Sequence, residues 1–139
     1  MKAKDADIIS CTIHEDAKTI AFSAFRFCES LTSIIIPDGI TYIGGSAFEY
    51  CYALTTVKIG NGVTVIRENT FSFCRALTNV TIGDNVIYLM NNSFTDCGFT
   101  SITFEGTKAQ WLAINKYPNW RTKNNSCKIC CSDGDITET

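Results

Sequence analysis

Residues 31–53, LTSIIIPDGITYIGGSAFEYCYA, are followed at once by 54–76, LTTVKIGNGVTVIRENTFSFCRA, at the same length and in the same register. Residues 8–30 fit the frame ahead of them without a gap, and 77–98 fit behind them one residue short. Phe25, Phe48, Phe71 and Phe94 lie 23 residues apart, and so do Cys28, Cys51, Cys74 and Cys97. Two columns at one constant offset restrict the chain to a stacked, repetitive architecture. A unit this short cannot bury its own apolar face, so each repeat must complete its core against its neighbours.

Inside a repeat the first residues alternate, as in Leu31, Ile34 and Ile36 against Ser33 and Ile35. Period-2 alternation with β-branched residues predicts a short strand. The inward columns are Ile8/Leu31/Leu54/Leu77/Phe99, then Cys11/Ile34/Val57/Val80/Ile102, then Ile13/Ile36/Ile59/Ile82/Phe104. They predict five stacked parallel strands, one per repeat. Turns follow at Pro37-Asp38-Gly39, Gly60-Asn61-Gly62 and Gly83-Asp84-Asn85, where Gly and Asn tolerate a sharp reversal. The return path sends Ile40, Val63 and Val86 inward, then Ile20, Ile43, Ile66 and Leu89. It ends in Phe-x-x-Cys, expected as a single helical or 3₁₀ turn whose Phe plugs the core.

The chain divides into a polar arm at 1–7, an array at 8–105 and a cap at 106–139. The array comprises repeats 8–30, 31–53, 54–76 and 77–98 and a partial repeat at 99–105. Thr107-Lys-Ala-Gln110 reads as a capping box opening a short helix. Cys127, Ile129 and Cys131 alternate as a last strand, and Asp133-Gly134 suits a hairpin. Such a cap would cover the apolar end of the last repeat. At the other end only the polar arm precedes repeat one. That asymmetry implies either a fragment of a longer array or a homodimer through the uncapped N-terminal end, an isologous contact being one that closes on itself.

With 45% hydrophobic and 19% charged residues the chain is a packed body, not a disordered one. A net charge of −2 gives no reason to expect nucleic acid as a partner. No apolar run is long enough to insert in a membrane, and no secretory h-region follows Met1. Five of the eight cysteines, Cys11 with the column of four, stand at core positions and are expected to be reduced and buried, where Cys acts as a small hydrophobe.

With these columns aligned, the repeat L-x-x-[IV]-x-I-P/G-x-x-[IV]-x-x-I-x-x-x-[AST]-F-x-x-C resembles the BspA-type leucine-rich repeat from residue 8 to about 104. The tail, 104–111 FEGTKAQW with Trp120 and 131–134 CSDG, is similar to the segment that often ends such arrays. The chain departs from the pattern where His14 replaces the usual Pro or Gly, where the fourth repeat is short, and in having few repeats. The resemblance implies an α/β-type solenoid, a leucine-rich-repeat right-handed superhelix. Short parallel strands would line one face, one per repeat, with a C-terminal helix-plus-strand cap. It also implies a protein-binding or adhesion module at a cell surface or secreted, the setting in which the family's bacterial and protozoan members bind host or partner proteins. A signal is absent from this chain, and a cytoplasmic location stays open.

The outward strand positions form the candidate binding face: Ser10, Ser33, Thr56, Asn79 and Ser101 in one column, and Thr12, Ile35, Lys58, Thr81 and Thr103 in the next. Ile35 beside Lys58 is its expected anchor. No catalytic, cofactor-binding or metal-ligating set is expected. Cys127-x-x-Cys130 with Cys131 falls short of the four ligands of structural zinc, and the single His14 stands at the far end of the array. Glu15, Asp38, Asn61 and Asp84 form an acidic column that turn chemistry explains as well as calcium would. The alternative is a parallel β-helix carbohydrate-active enzyme or carbohydrate-binding module. It predicts several strands per coil and carboxylates clustered on one face, whereas the outward columns carry only Glu105 at their margin.

Overall fold

The computed structural model describes residues 11–122 and 126–139; the expected arm at 1–7, Ile8 and Ser10 lie outside them. The chain coils as a solenoid whose turns, from the second on, each contribute one longer and one very short strand. In chain order these are β1 (Thr19–Ile20), β2 (Ser33–Ile36), β3 (Tyr42–Ile43), β4 (Thr56–Ile59), β5 (Val65–Ile66), β6 (Asn79–Ile82), β7 (Tyr88–Leu89) and β8 (Ser101–Phe104). Helix α1 (Lys108–Ala113) follows, then β9 (Asn115–Lys116), β10 (Cys127–Cys131) and β11 (Gly134–Glu138).

The longer strands make one sheet in the order β11-β10-β8-β6-β4-β2. The array strands pair parallel and in frame, Ile34 beside Val57, Val57 beside Val80 and Ile82 beside Phe104. Their alternating burial, exposed then buried, places Ile34, Ile36, Val57, Ile59, Val80, Ile82, Ile102 and Phe104 in the core. Two expectations are corrected here. Among the described residues the fifth parallel strand is supplied by the C-terminal segment, because β10 continues the ladder beside β8. Residues 11–13 form no strand. Cys11 stands there where other repeats place Ile or Val, and it is only half-buried. The second correction is that from the second coil on each repeat carries two strands, since β3 pairs with β1, and β5, β7 and β9 pair in a sheet of their own.

The Phe-x-x-Cys segment is not helical. Ser23, Phe27, Ser46, Tyr50, Asn69, Phe73, Asn92 and Asp96 all have φ between 55° and 61°. Backbone accounting gives the reason. The N–H groups of Ser23, Phe25 and Phe27 donate to Gly45, Ala47 and Glu49 of the next coil, while those of Ala24, Arg26 and Cys28 donate three residues back. A helix would turn every N–H along its own axis. A left-handed residue every four positions breaks that run, and every second N–H from Ser23 to Phe27 reaches the next repeat, so the coils are bonded along this edge as well as through the strands. Each left-handed non-glycine residue costs about 1–2 kcal/mol locally, a cost that inter-coil hydrogen bonds and packing offset.

The core is built on that edge. Phe25, Phe48, Phe71 and Phe94 stack at 5.0, 5.2 and 5.1 Å with planes within 10° of parallel. Beside them the thiols of Cys51, Cys74 and Cys97 donate at 3.1 Å to the carbonyls of Phe25, Phe48 and Phe71. All eight cysteines are free thiols. The residue missing from the fourth repeat is lost between Cys97 and Phe99, at Gly98. A Cβ there would stand 2.6 Å from the Arg75 carbonyl oxygen, so the short cut needs glycine. It leaves Cys97 and Phe99 only partly buried against the core.

Beyond β8, Thr107 caps α1 with the reciprocal bonds expected of a capping box, Gln110 N–H to Thr107 Oγ1 at 3.2 Å and Thr107 N–H to Gln110 Oε1 at 2.8 Å. Trp111 and Trp120 carry the aromatic core past the last repeat, through an edge contact of Phe94 on Trp120 at 6.1 Å. Asp133-Gly134 turns β10 back into antiparallel β11, with Gly134 at φ 126°.

Candidate binding faces

The strand register determines where the expected face lies. Ser33, Thr56, Asn79 and Ser101 stand at the first position of β2, β4, β6 and β8, and Ile35, Lys58, Thr81 and Thr103 two residues on. Ser33, Ile35, Lys58, Asn79, Ser101 and Thr103 are exposed, and Thr56 and Thr81 half-exposed. Thr12 is exposed but stands on no strand, and Ser10 is not among the described residues. Ile35, at 66% exposure, is the apolar outlier on a polar sheet. With Cys11, Ile13, Ile34 and Pro37 it lines a shallow cavity of about 370 Å³.

The face is wider than the repeats suggested. Lys128 pairs with Ser101 and Cys130 with Thr103, so β10 extends both columns, and Asp135 and Thr137 of β11 extend them again. Two ion pairs lie across it, Lys58 with Glu105 at 3.9 Å and Lys128 with Asp135 at 2.9 Å. The alternation Lys128, Cys130 in the last strand was the signal for this extension. Chemically the face offers hydroxyls, one amide, one thiol and one aliphatic side chain beside the two ion pairs, a surface suited to recognition by shape and hydrogen bonds.

The other candidates resolve locally. Asp38 Oδ1 accepts the Asn61 N–H at 2.9 Å and Asn61 Oδ1 the Asp84 N–H at 3.3 Å, so the acidic column is a ladder of turn side chains holding the next coil's turn. Among the described residues no three His, Cys, Asp or Glu side chains are placed to hold a metal ion. His14 is exposed and its Nδ1 accepts the Asp16 N–H at 3.1 Å. The Cys51 thiol is held well above its usual range by the adjacent Cys74 thiol and by burial, and burial does the same to Cys97. Such thiols are poor nucleophiles.

A second surface lies on the left-handed turns. Phe27, Tyr50 and Phe73 stack in a column of their own, at 4.7 and 5.0 Å. The Arg26 guanidinium sits 4.8 Å from the Phe27 ring and that of Arg75 5.9 Å from both Phe73 and Tyr52. The recurrence of an aromatic residue two positions after Phe25, Phe48 and Phe71 is the sequence signal for it.

A model described as the BspA type leucine rich repeat region matches residues 3–115 in six copies. No curated protein matches the chain. Among solved structures, the chain is similar to a leucine-rich repeat protein from Bacteroides ovatus, with 28% identity, a TM-score of 0.61, and 73% of this chain matched to 30% of that one. It is similar also to a leucine rich cell surface protein from Faecalibacterium prausnitzii, with 24% identity, a TM-score of 0.61, and 78% of this chain matched to 35% of that one. The chain thus spans about a third of the length of these structures.

Proposed function

Since the chain belongs to the BspA-type leucine-rich-repeat family, we propose that it is a non-enzymatic protein-binding module, acting at a cell surface or after secretion, whose ligand face is the outward side of the main sheet. One observation carries this reading: the two outward columns run in unbroken register from β2 to β10, across array and C-terminal segment alike. A rigid face of that kind presents its groups at fixed spacing and loses little conformational entropy on binding. Ile35 supplies the apolar anchor and Lys58 the charge beside it.

The carbohydrate-directed alternative gains one point, because two strands per coil is what it expected. The carboxylates on the face weigh against it, since Glu105 and Asp135 are each engaged by a lysine, and paired acids apart from one another are not the arrangement of a glycosidase. The test is capture of extracellular-matrix and cell-surface proteins by the intact chain beside its Ile35→Asp variant. The reading expects capture to fall about tenfold or more in the variant, the effect of losing a buried anchor. Equal capture by both, or release of sugar from polysaccharide by either, would overturn it.

A further inference from the structure

The surface on the left-handed turns has an internal symmetry that the sheet face lacks. Two residues after the stacked rings comes a second exposed column, Glu29, Tyr52 and Arg75, one residue per coil. Read along the axis it runs acid, aromatic, base. The column beside it runs Phe27, Tyr50, Phe73 and reads the same in both directions. A two-fold axis through the second repeat, perpendicular to the stack, exchanges the first and third coils. It would therefore set Glu29 of one copy against Arg75 of another, twice, with Tyr52 against Tyr52 between them.

We propose that this edge is a self-association surface and that its occupant is a second copy of this chain, packed antiparallel through Glu29, Tyr52 and Arg75. Charge complementarity carries the choice of occupant. Glu29 is exposed and makes no ion pair among the described residues. Arg75 is 64% exposed, and its bond to Asp96 at 3.3 Å is a surface pair, of a kind that contributes little and is readily exchanged. The other charges on this edge are already spent, since Arg26 holds Glu49 at 2.9 Å with the Glu49 side chain only 10% exposed. Tyr and Arg are also the residue types that interfaces favour. Phe27, Tyr50 and Phe73 occupy each other's faces, which leaves ring edges and not open platforms toward a neighbour. An isologous contact closes on itself, so the product is a dimer and not a fibre. The proposal does not depend on the sheet-face reading.

Sedimentation velocity on the intact chain, up to millimolar concentration, tests it with two exposed substitutions. Glu29→Arg places like charges opposite each other in both contacts, and so does Arg75→Glu; each should weaken self-association by about tenfold or more. Mixed together, the two variants regain opposite charges at both contacts, and a dimer should reappear in the mixture alone. Thermal melts of each variant establish that it is folded. Wild type that stays monomeric throughout would overturn the proposal. So would a dimer indifferent to both changes, the result expected of association through the N-terminal end, or a mixture that fails to restore it.

Discussion

At the scale of single residues the fold rests on side chains that repeat without variation. Phe71 is fully buried between Phe48 and Phe94, and both of its ring faces are in contact. Phe71→Ala should destabilise the chain by about 3–5 kcal/mol, the range for truncating a core phenylalanine. Chemical denaturation checks this, and a midpoint within error of wild type would place the column outside the core. These positions were legible because a buried column accepts one residue type in every coil. The left-handed residues were not. Positive φ is usually announced by Gly or Asn, and among the eight such non-glycine positions Asn69, Asn92 and Asp96 alone carry an Asn or Asp cue. Ser23, Ser46, Phe27, Tyr50 and Phe73 carry no such cue, and each sends its N–H to the next coil, a bond that belongs to the stack and not to the local sequence.

At the scale of elements, the longer strands were readable from alternation and the short ones were not. A two-residue strand such as Tyr42–Ile43 shows one exposed and one buried residue, too little for any period to register. What fixes it is the neighbouring coil, as when Thr41 N–H donates to Lys18 at 2.9 Å and Gly44 N–H to Ile20 at 2.8 Å. The turns between strands are equally tight across coils. A Cβ on Gly62 would lie 2.2 Å from the Asp38 carbonyl oxygen and 2.4 Å from that of Ile40. Both obstacles are backbone and cannot swing aside. Gly62→Ala should therefore cost about 1–3 kcal/mol, as overpacking does, although the substitution would favour the folded state in an open turn. A thermal melt at or above the wild-type temperature would show that the coils can slide apart to admit a methyl group.

At the scale of the molecule, stability is a sum over neighbours, so the end of the stack matters more than its size suggests. The last strand is fastened through Glu138, whose carboxylate accepts the Trp111 Nε1–H at 2.8 Å while its carbonyl accepts from Arg121 at 3.3 Å. Trp111→Phe removes the first of these bonds and should cost about 1.5–3 kcal/mol, the range for a bond to a charged group. Hydrogen exchange should then show β11 losing protection before β4 and β6, and uniform loss across all strands would mean the stack melts as one unit. The outward face was legible to the end of the array because strand alternation assigns sides; for β10 alternation showed a strand but not its neighbour, because pairing across residues 104 to 127 is set by tertiary contact. The thiols of Cys51, Cys74 and Cys97 bear a consequence of another kind. Each donates to a carbonyl of the preceding coil, and the thiolates of Cys51 and Cys97, the forms that oxidise and exchange, are disfavoured there. Oxidising any of them would remove a bond between coils, so the column ties the cohesion of the stack to its thiols staying reduced.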